Sequence, residues 1–454
     1  MSAVRDVSRV VGIASLVLAV AFGVSWAHAT LVRSDPASNA HLSRPPATLE
    51  LEFSEAVTPR TSRVELVTPD SQRLGLVVRG DSANPKTLLA GVPQLSVAGR
   101  YRVEWRLVGP DGHAVAGKYD FTVDTIPVPV DTTPVGEPGA SQDEVHEPSP
   151  NSFVQLAIRF LSILSMAVVI GSVAFALFVL PAATRSGGEA SADFRRRVER
   201  RLRSLAVIAT WSLLVLAVVR LTSHGVTLSG SLQALRLGDL ADLVIGSTWG
   251  RGWLLQVVAT ITLLVGLRAS RPIRWSAMAG FTGALAISAS FLGHPAAVPD
   301  VAALAMSLDA IHVLAAGGWV GAIIMLAIAA LPLIPSVPAG HRVETVRSLL
   351  RAFSPLALWC AAILAVTGAI GGWLQLRELG LILGSDYGLA LVRKVVVVLL
   401  IAALGAYHWR VVQPSVGTDR SVRLLRGSLV LDVALVLLVL VLTAILTGTA
   451  PPVR

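Results

Sequence analysis

The sequence is poor in sulfur and in charge. Cys360 is the only cysteine, so no intramolecular disulfide can form. Residues 2–165 contain neither cysteine nor methionine, which excludes a soft, sulfur-lined metal site from that part of the chain. Only 15% of the residues are charged and 53% are hydrophobic, a composition that favours a membrane protein over an ordinary soluble one. No Walker-type nucleotide motif is present, so the sequence does not predict an ATP-driven machine.

The net charge of +9 is unevenly distributed along the chain. Residues 28–150 carry a net charge of −5, whereas residues 151–454 carry +13. The basic excess therefore lies in the apolar part of the sequence. There it predicts membrane topology and argues against a nucleic-acid partner.

Residues 1–27 have the pattern of a secretory signal peptide, with arginines before the apolar run VVGIASLVLAVAFGV and small residues after it. Cleavage before His28 satisfies the small-residue rule. The triplet Ala27-His28-Ala29 also fits the cleavage pattern, and that cut, before Thr30, would discard the histidine. The signal pattern leaves both cleavage sites open.

Residues 28–125 predict a small all-β, Greek-key-like sandwich. Five segments read as strands: TLELEF, RVELV, RLGLVV, RYRVEWRLV and KYDFTV. In the fourth, alternate residues from Tyr101 to Leu107 are apolar, which is typical of a half-buried antiparallel strand. The Pro-, Gly- and acid-rich stretch at 126–151 predicts an extended linker.

Residues 152–454 predict an all-α polytopic membrane domain with about eight transmembrane helices. Apolar runs of about 20 residues, the length that spans a bilayer, lie at 153–181, 204–222, 251–268, 274–293, 306–334, 354–376, 388–409 and 427–448. Four arginine-rich loops alternate with loops that hold few basic residues. The positive-inside rule places the arginine-rich loops in the cytoplasm, and therefore the N-terminal domain and the C-terminus on the extracytoplasmic side.

Two polar side chains stand out in the predicted β domain. Asp111 and His113 lie two residues apart in VGPDGHAVAGKYDF, so both can leave one face of an extended segment. A D-G turn followed by an exposed histidine explains the spacing equally well. If the mature chain begins at His28, its α-amine and imidazole can chelate one metal ion. Together with Asp111 and His113 they form a nitrogen-rich set that suits Cu(II).

Polar residues inside the apolar runs are costly to bury and therefore informative. Asp309 and His312 lie three residues apart, on one helix face near the outer start of the fifth run. His294 ends the fourth run and His224 ends the second, on the same side of the membrane. The four residues predict a metal entry site. The alternative is that the histidines face lipid headgroups and the Asp–His pair locks a helix.

Other residues in the apolar half have structural interpretations. Lys394 in the seventh run can pair with Asp432 in the eighth, or extend towards the membrane surface. The glycines of GGWVG (317–321) favour close helix contact. Trp249, near the end of a run, fits an aromatic belt at the membrane interface.

The stretch HATLVRSDPASNAHLSRPPATLELEFSEAV, followed by PDGHAVAGKYDFTV, resembles the CopC family of periplasmic copper-binding proteins. The resemblance covers residues 28–124. It implies that His28, Asp111 and His113 bind Cu(II), and it favours cleavage after Ala27. The Met-rich Cu(I) site of some members has no counterpart here.

The apolar half resembles the CopD family of copper-resistance and copper-transport membrane proteins over residues 153–450. The resemblance rests on G-H at 293–294, D-x-x-H-x-x-x-x-G-x-W-x-G at 309–321 and Y-G-x-x-L-x-x-K at 387–394. CopC and CopD also occur fused in this order. The matched motifs favour His294, Asp309 and His312 as transport residues, whereas His224 rests on its depth alone.

The sequence therefore predicts a copper importer and not an enzyme. The outer domain captures Cu(II) and delivers it to a transmembrane permease in the bacterial inner membrane. The expected partners are the copper ion, the lipid bilayer and a cytoplasmic copper acceptor or copper enzyme, with no nucleic acid. Two alternatives remain: a copper- or haem-dependent redox protein, with His408 as the inner-side ligand candidate, and a membrane-anchored copper buffer or resistance protein.

Overall fold

The computed structural model describes residues 31–54, 56–108, 114–124, 153–185, 188–229, 231–269, 274–293, 301–412 and 419–449. The predicted signal peptide and linker lie outside these residues. The chain divides into two compact units. One contains the β strands and the segment Arg220–Arg251, and the other contains the remaining helices.

In the described residues of the first unit, nine strands form two sheets. They are β1 Leu31–Asp35, β2 His41–Leu42, β3 Thr48–Phe53, β4 Ser62–Val67, β5 Arg73–Gly75, β6 Val77–Gly80, β7 Thr87–Gly91, β8 Gly99–Val108 and β9 Ala114–Val123. One sheet has the order β1-β3-β7-β6 and the other the order β2-β9-β8-β4-β5. Neighbouring strands are antiparallel except β2 and β9, which are parallel.

The two sheets share one apolar core, to which β8 contributes along its whole length. The four alternating residues of β8 from Tyr101 to Leu107 are each at most 6% exposed, which confirms the predicted alternation. Trp105 meets Phe53 of the other sheet edge-on, with 5.0 Å between ring centroids. Gly117 lies opposite Trp105 on β9, and a Cβ there would enter the indole ring. The absence of a side chain at residue 117 therefore makes room for the central aromatic residue of the core.

The segment RLGLVV was predicted as a single strand, and this prediction is wrong. Its first half is β5, which pairs with β4, and its second half lies in β6, which pairs with β7 of the other sheet. The chain changes sheets at Leu76, whose backbone N–H still bonds to the Val64 carbonyl. The apolar pattern continues across this residue, so it carries no sign of the change of partner.

The α-helices among the described residues are numbered in chain order, and the short segments that extend a helix count as part of it. They are α1 Phe153–Ala174, α2 Glu189–Ser229, α3 Leu237–Gly246, α4 Thr248–Arg268, α5 Trp275–Phe291, α6 Ala302–Ala316, α7 Arg342–Leu376, α8 Leu381–Gly384, α9 Asp386–Tyr407 and α10 Asp419–Leu446. Further helical turns extend α1 to Ala183 and α6 to Ser336. Each of the eight predicted apolar runs coincides with a helix.

Among the described residues, six helices are long and apolar enough to cross a membrane. They are Phe153–Ala183, Glu189–Ser229, Thr248–Arg268, Ala302–Ser336, Ala339–Leu376 and Asp386–Tyr407. The other two predicted spans are shorter. Helix α5 has 17 residues, about 25 Å at a rise of 1.5 Å per residue, and the apolar part of α10 is Val430–Leu446. The chain is a membrane protein with about six candidate spans, and the predicted count of eight is not confirmed.

Helices α1 and α6 pack backbone to backbone through glycine. A Cβ on Gly321 would overlap the carbonyl oxygen of Ala167, and a Cβ on Gly171 would overlap the backbone of Gly321. The prediction that GGWVG allows close helix contact is confirmed. The same five residues form a π turn, Gly317–Gly321, and a second π turn follows at Leu326–Ala330.

Helix α3 belongs to the compact unit of the β sheets. The carboxylate of Asp239 accepts hydrogen bonds from the Arg236 backbone N–H and the Ser229 hydroxyl, both at 3.1 Å, and it pairs with Arg63 of β4. Burial alone would raise the pKa of the Asp239 carboxyl, but these three partners outweigh it, so the pKa lies below its usual 3.8. Asp239 therefore holds the start of α3 against the β domain as a carboxylate.

Candidate functional site

A threonine on α7 orients the histidine predicted for the transport path. Asp309 and His312 lie on α6, and the Nδ1 atom of His312 is 2.9 Å from the hydroxyl of Thr367. That hydroxyl also lies 2.7 Å from the carbonyl oxygen of Ile363, to which it donates its single proton. The hydroxyl can therefore only accept from His312, so Nδ1 carries the imidazole proton. The Nε2 atom is left with a lone pair, the form in which imidazole binds metals.

Helix α9 brings a cation and a phenol to the same place. Lys394 interacts electrostatically with Asp309 and with His312. Tyr387 interacts electrostatically with Asp309 and is buried. We call Asp309, His312, Thr367, Tyr387 and Lys394 the polar cluster. It joins three helices, α6, α7 and α9, within the helical unit.

The polar cluster offers a metal ion a carboxylate oxygen from Asp309 and an imidazole nitrogen from His312. No group of three or more His, Cys, Asp or Glu residues that could hold a metal ion occurs among the described residues. Asp309 and His312 are the two residues of the cluster with metal-ligand chemistry, fewer than the four ligands of a closed structural site. Two ligands suit transient binding, which a transport path requires.

Four of the predicted site residues lie outside the residues that the structure describes. They are His28, Asp111 and His113 of the predicted Cu(II) site and His294 of the predicted entry site. Their roles stay predictions from the sequence.

His224 lies in the compact unit that contains the β strands, at the end of α2. Its Nδ1 atom is 2.9 Å from the Arg220 carbonyl oxygen, and its ring stacks on Trp249 with 4.4 Å between centroids. The guanidinium carbon of Arg220 also lies 5.8 Å from the centroid of that indole. Trp249 is only 1% exposed, so its predicted place in an interfacial aromatic belt is wrong. The indole instead packs beside the histidine.

The structure gives Lys394 and Asp432 different partners from the predicted pair. Lys394 belongs to the polar cluster, and Asp432 pairs with His408, whose Nδ1 atom is 3.5 Å from a carboxylate oxygen. Sequence reasoning also missed Thr367 and Tyr387. Tyr387 is part of the motif Y-G-x-x-L-x-x-K, which was a usable signal. A threonine in a helix more often bonds back to its own backbone, so Thr367 had no such signal.

Three family models match consecutive parts of the chain. The CopC domain matches residues 31–124, the Copper resistance protein D-like N-terminal domain matches 150–304, and Copper resistance protein D matches 347–446.

Relatives match both the whole chain and its parts. Copper transport protein CutJ of Bacillus subtilis (strain 168) is 26% identical over 442 residues, which cover 94% of this chain and 75% of that protein. Copper resistance protein C of Xanthomonas campestris pv. juglandis is 34% identical over 129 residues, covering 27% of this chain and 99% of that protein. Copper resistance protein D of Pseudomonas syringae pv. tomato is 25% identical over 320 residues, covering 66% of this chain and 97% of that protein.

The structure agrees with the order of the three matches. The strands lie in the part that matches the CopC domain, and most of the apolar helices lie in the parts that match the two Copper resistance protein D models. The chain belongs to the copper resistance family, as a fusion of a CopC domain with a CopD membrane domain.

Proposed function

We propose that this protein imports copper across the bacterial inner membrane. A signal peptide, residues 1–27, directs the domain at 28–125 to the extracytoplasmic side. There His28, with its freed α-amine, binds Cu(II) together with Asp111 and His113. The linker at 126–151 tethers this domain to an eight-span permease at 152–454, which raises the copper concentration at the membrane. The family and the names of the relatives support copper as the cargo.

The polar cluster is the observation on which the proposal depends. A charged side chain within a membrane-spanning helix costs about 2.5–3.5 kcal/mol by insertion scales, so such residues usually serve a function. Here Asp309 and Lys394 offset each other's charge, and Thr367 holds Nε2 of His312 in the metal-binding form. A purely structural pair of opposite charges would not require a threonine that orients His312.

In this mechanism Lys394 balances the charge of Asp309 while no copper is present. A copper ion that binds to Asp309 and His312 takes over that role, and Lys394 then repels the bound ion and favours its onward movement. The membrane potential contributes about 2.3 kcal/mol per elementary charge at 100 mV, so an inward cation flux needs no nucleotide. A copper sink in the cytoplasm would drive it further.

Copper flux into vesicles tests the proposal. The full-length protein is reconstituted, and the initial rate of copper entry is measured for the wild type, His28→Ala and the double variant Asp309→Asn/His312→Gln. We expect lower flux at limiting copper for His28→Ala and loss of flux for the double variant. Ser307→Ala is the matched control, because Ser307 is an exposed residue of α6 two positions before Asp309.

Three results would contradict the proposal. Wild-type vesicles without copper-dependent flux would favour a membrane-anchored buffer or resistance protein. Full flux in the double variant would remove the polar cluster from the path. A Soret band in the purified protein would favour the haem-dependent redox alternative. The intact mass of the mature protein provides a further check, because a chain that begins at Thr30 would lack the His28 ligand.

A further inference from the structure

A second histidine with an available ring nitrogen lies at the far end of α9. His408 follows α9 directly, and its Nδ1 atom is 3.5 Å from Oδ2 of Asp432 on α10. Asp432 is only 8% exposed. The pair therefore joins the last two helices of the membrane unit through an imidazole and a buried carboxylate.

The partner of Nδ1 decides what the other nitrogen of His408 can do. At 3.5 Å the contact is longer than a hydrogen bond, but the carboxylate attracts a proton on Nδ1 and repels a lone pair there. The neutral imidazole therefore favours the proton on Nδ1, which leaves a lone pair on Nε2. Nε2 is buried and has no hydrogen-bond partner among the residues that the structure describes. A buried polar atom without a partner costs about 1–3 kcal/mol, so an unpaired nitrogen at this place calls for a functional explanation.

This arrangement is the one in which proteins present histidine to metals. A metal-binding imidazole usually donates its second N–H to a carboxylate or carbonyl group, which fixes the tautomer and the orientation of the ring. Thr367 orients His312 through a hydrogen bond at 2.9 Å, and Asp432 acts on His408 by electrostatic attraction at 3.5 Å. Both histidines thus offer Nε2 as the ligand atom.

The helical conformation of the backbone changes from α to π at His408. His408 begins a π turn, His408–Val412, directly after the regular α-helix. Such turns are rare in proteins overall, but those that occur are often found at functional sites. The π turn is independent of the hydrogen-bonding argument.

His408 and the polar cluster are connected by the same helix, α9. Lys394 and His408 are 14 residues apart, about 21 Å along the helix axis at 1.5 Å per residue. Between them α9 contributes Val397 and Ile401 to the apolar core. One helix therefore carries part of the polar cluster near its start and a second metal-type histidine just beyond its end.

We propose that His408, oriented by Asp432, is a second copper-binding residue, from which the ion leaves the membrane on the cytoplasmic side. This proposal rests on the proposed import function and its topology. An imidazole nitrogen binds copper in either oxidation state. A site with few protein ligands releases the ion readily, as a path with several weak binding sites requires.

The test uses the same vesicles with variants of this pair. His408→Gln keeps an N–H that can donate to Asp432, and so preserves a structural contact, but it removes the imidazole ligand. We expect the copper flux to fall by about tenfold or more. Asp432→Asn keeps an acceptor oxygen without its charge, and its flux should lie between those of His408→Gln and the wild type. The control is Tyr407→Phe, since Tyr407 is adjacent and 42% exposed.

Each outcome separates this proposal from the import function. Wild-type flux in His408→Gln, with Asp309→Asn/His312→Gln inactive, would overturn the role of His408 and leave import intact. Absence of flux in the wild type would overturn both. If His408→Gln is not monodisperse after purification, Asp432→Asn carries the test. A reduced flux in that variant supports the proposal, and a wild-type rate overturns it.

Discussion

Replacing Thr367 by valine removes one oxygen atom and preserves the branched shape of the side chain. That oxygen accepts the Nδ1–H of His312 at 2.9 Å, while its own proton bonds to the Ile363 carbonyl. In Thr367→Val the Nδ1–H loses its acceptor within the membrane unit. The imidazole can escape this loss by moving its proton to Nε2, or by rotating away from its present position. The first response moves the lone pair from Nε2 to Nδ1 and the second displaces it, so in neither case does Nε2 present its lone pair in the present position.

The size of the effect follows from the cost of the unpaired N–H, which is about 1–3 kcal/mol. Because 1.4 kcal/mol corresponds to a factor of ten, we expect apparent copper affinity to fall by about 10- to 100-fold. The measurement is the copper concentration at which the vesicle flux is half-maximal. Thr367→Ser retains the hydroxyl and both hydrogen bonds, so its half-saturating concentration should remain close to that of the wild type.

One result would refute this reasoning. If Thr367→Val reaches half-maximal flux at the wild-type copper concentration while His312→Gln is inactive, the threonine does not set the tautomer. Equal melting temperatures of Thr367→Val and Thr367→Ser would show that a change in flux does not arise from unfolding.

Two further predictions concern stability. Gly321→Ala should destabilise the membrane unit by about 1–3 kcal/mol, because its Cβ would overlap the carbonyl oxygen of Ala167. The control is Gly371→Ala, whose Cβ meets no atom within 4 Å, so it should leave the stability unchanged. Melting temperatures in detergent distinguish the two variants. The pKa of Asp239 is lowered by folding, so its contribution to holding α3 is complete above its usual 3.8 and is lost as the pH falls through the lower folded value. Hydrogen exchange of the α3 amides, corrected for intrinsic rates, should therefore rise at acidic pH in the wild type, and Asp239→Asn should remove this dependence.

Features that depend on near neighbours in the chain were predictable. The eight apolar runs are helical, the alternation in β8 faces the core, and the glycines of GGWVG lie at a helix contact. Asp309 and His312 share one face of their helix, because their spacing of three residues matches the helical repeat. The family resemblance added the copper cargo, which neither periodicity nor composition contains.

Features that depend on the choice of partner were not predictable from local patterns. The chain changes sheets at Leu76 within a continuous apolar pattern, and Trp249 is buried beside His224 although its position suggested the interface. The sequence left Lys394 either to pair with Asp432 in the neighbouring apolar run or to extend towards the membrane surface. In the structure Lys394 instead interacts electrostatically with Asp309 of α6.

Hydropathy and spacing therefore establish which segments are helices and which residues share a face, because these properties repeat within a few residues. The sequence motifs establish the family to which the chain belongs. The proton on His312 is decided by Thr367, 55 residues away, and the orientation of His408 by a carboxylate on another helix. Such pairings arise from how the helices pack, and the free energy of packing depends on every neighbour at once. Only the tertiary structure therefore decides which ring nitrogen is free to bind copper.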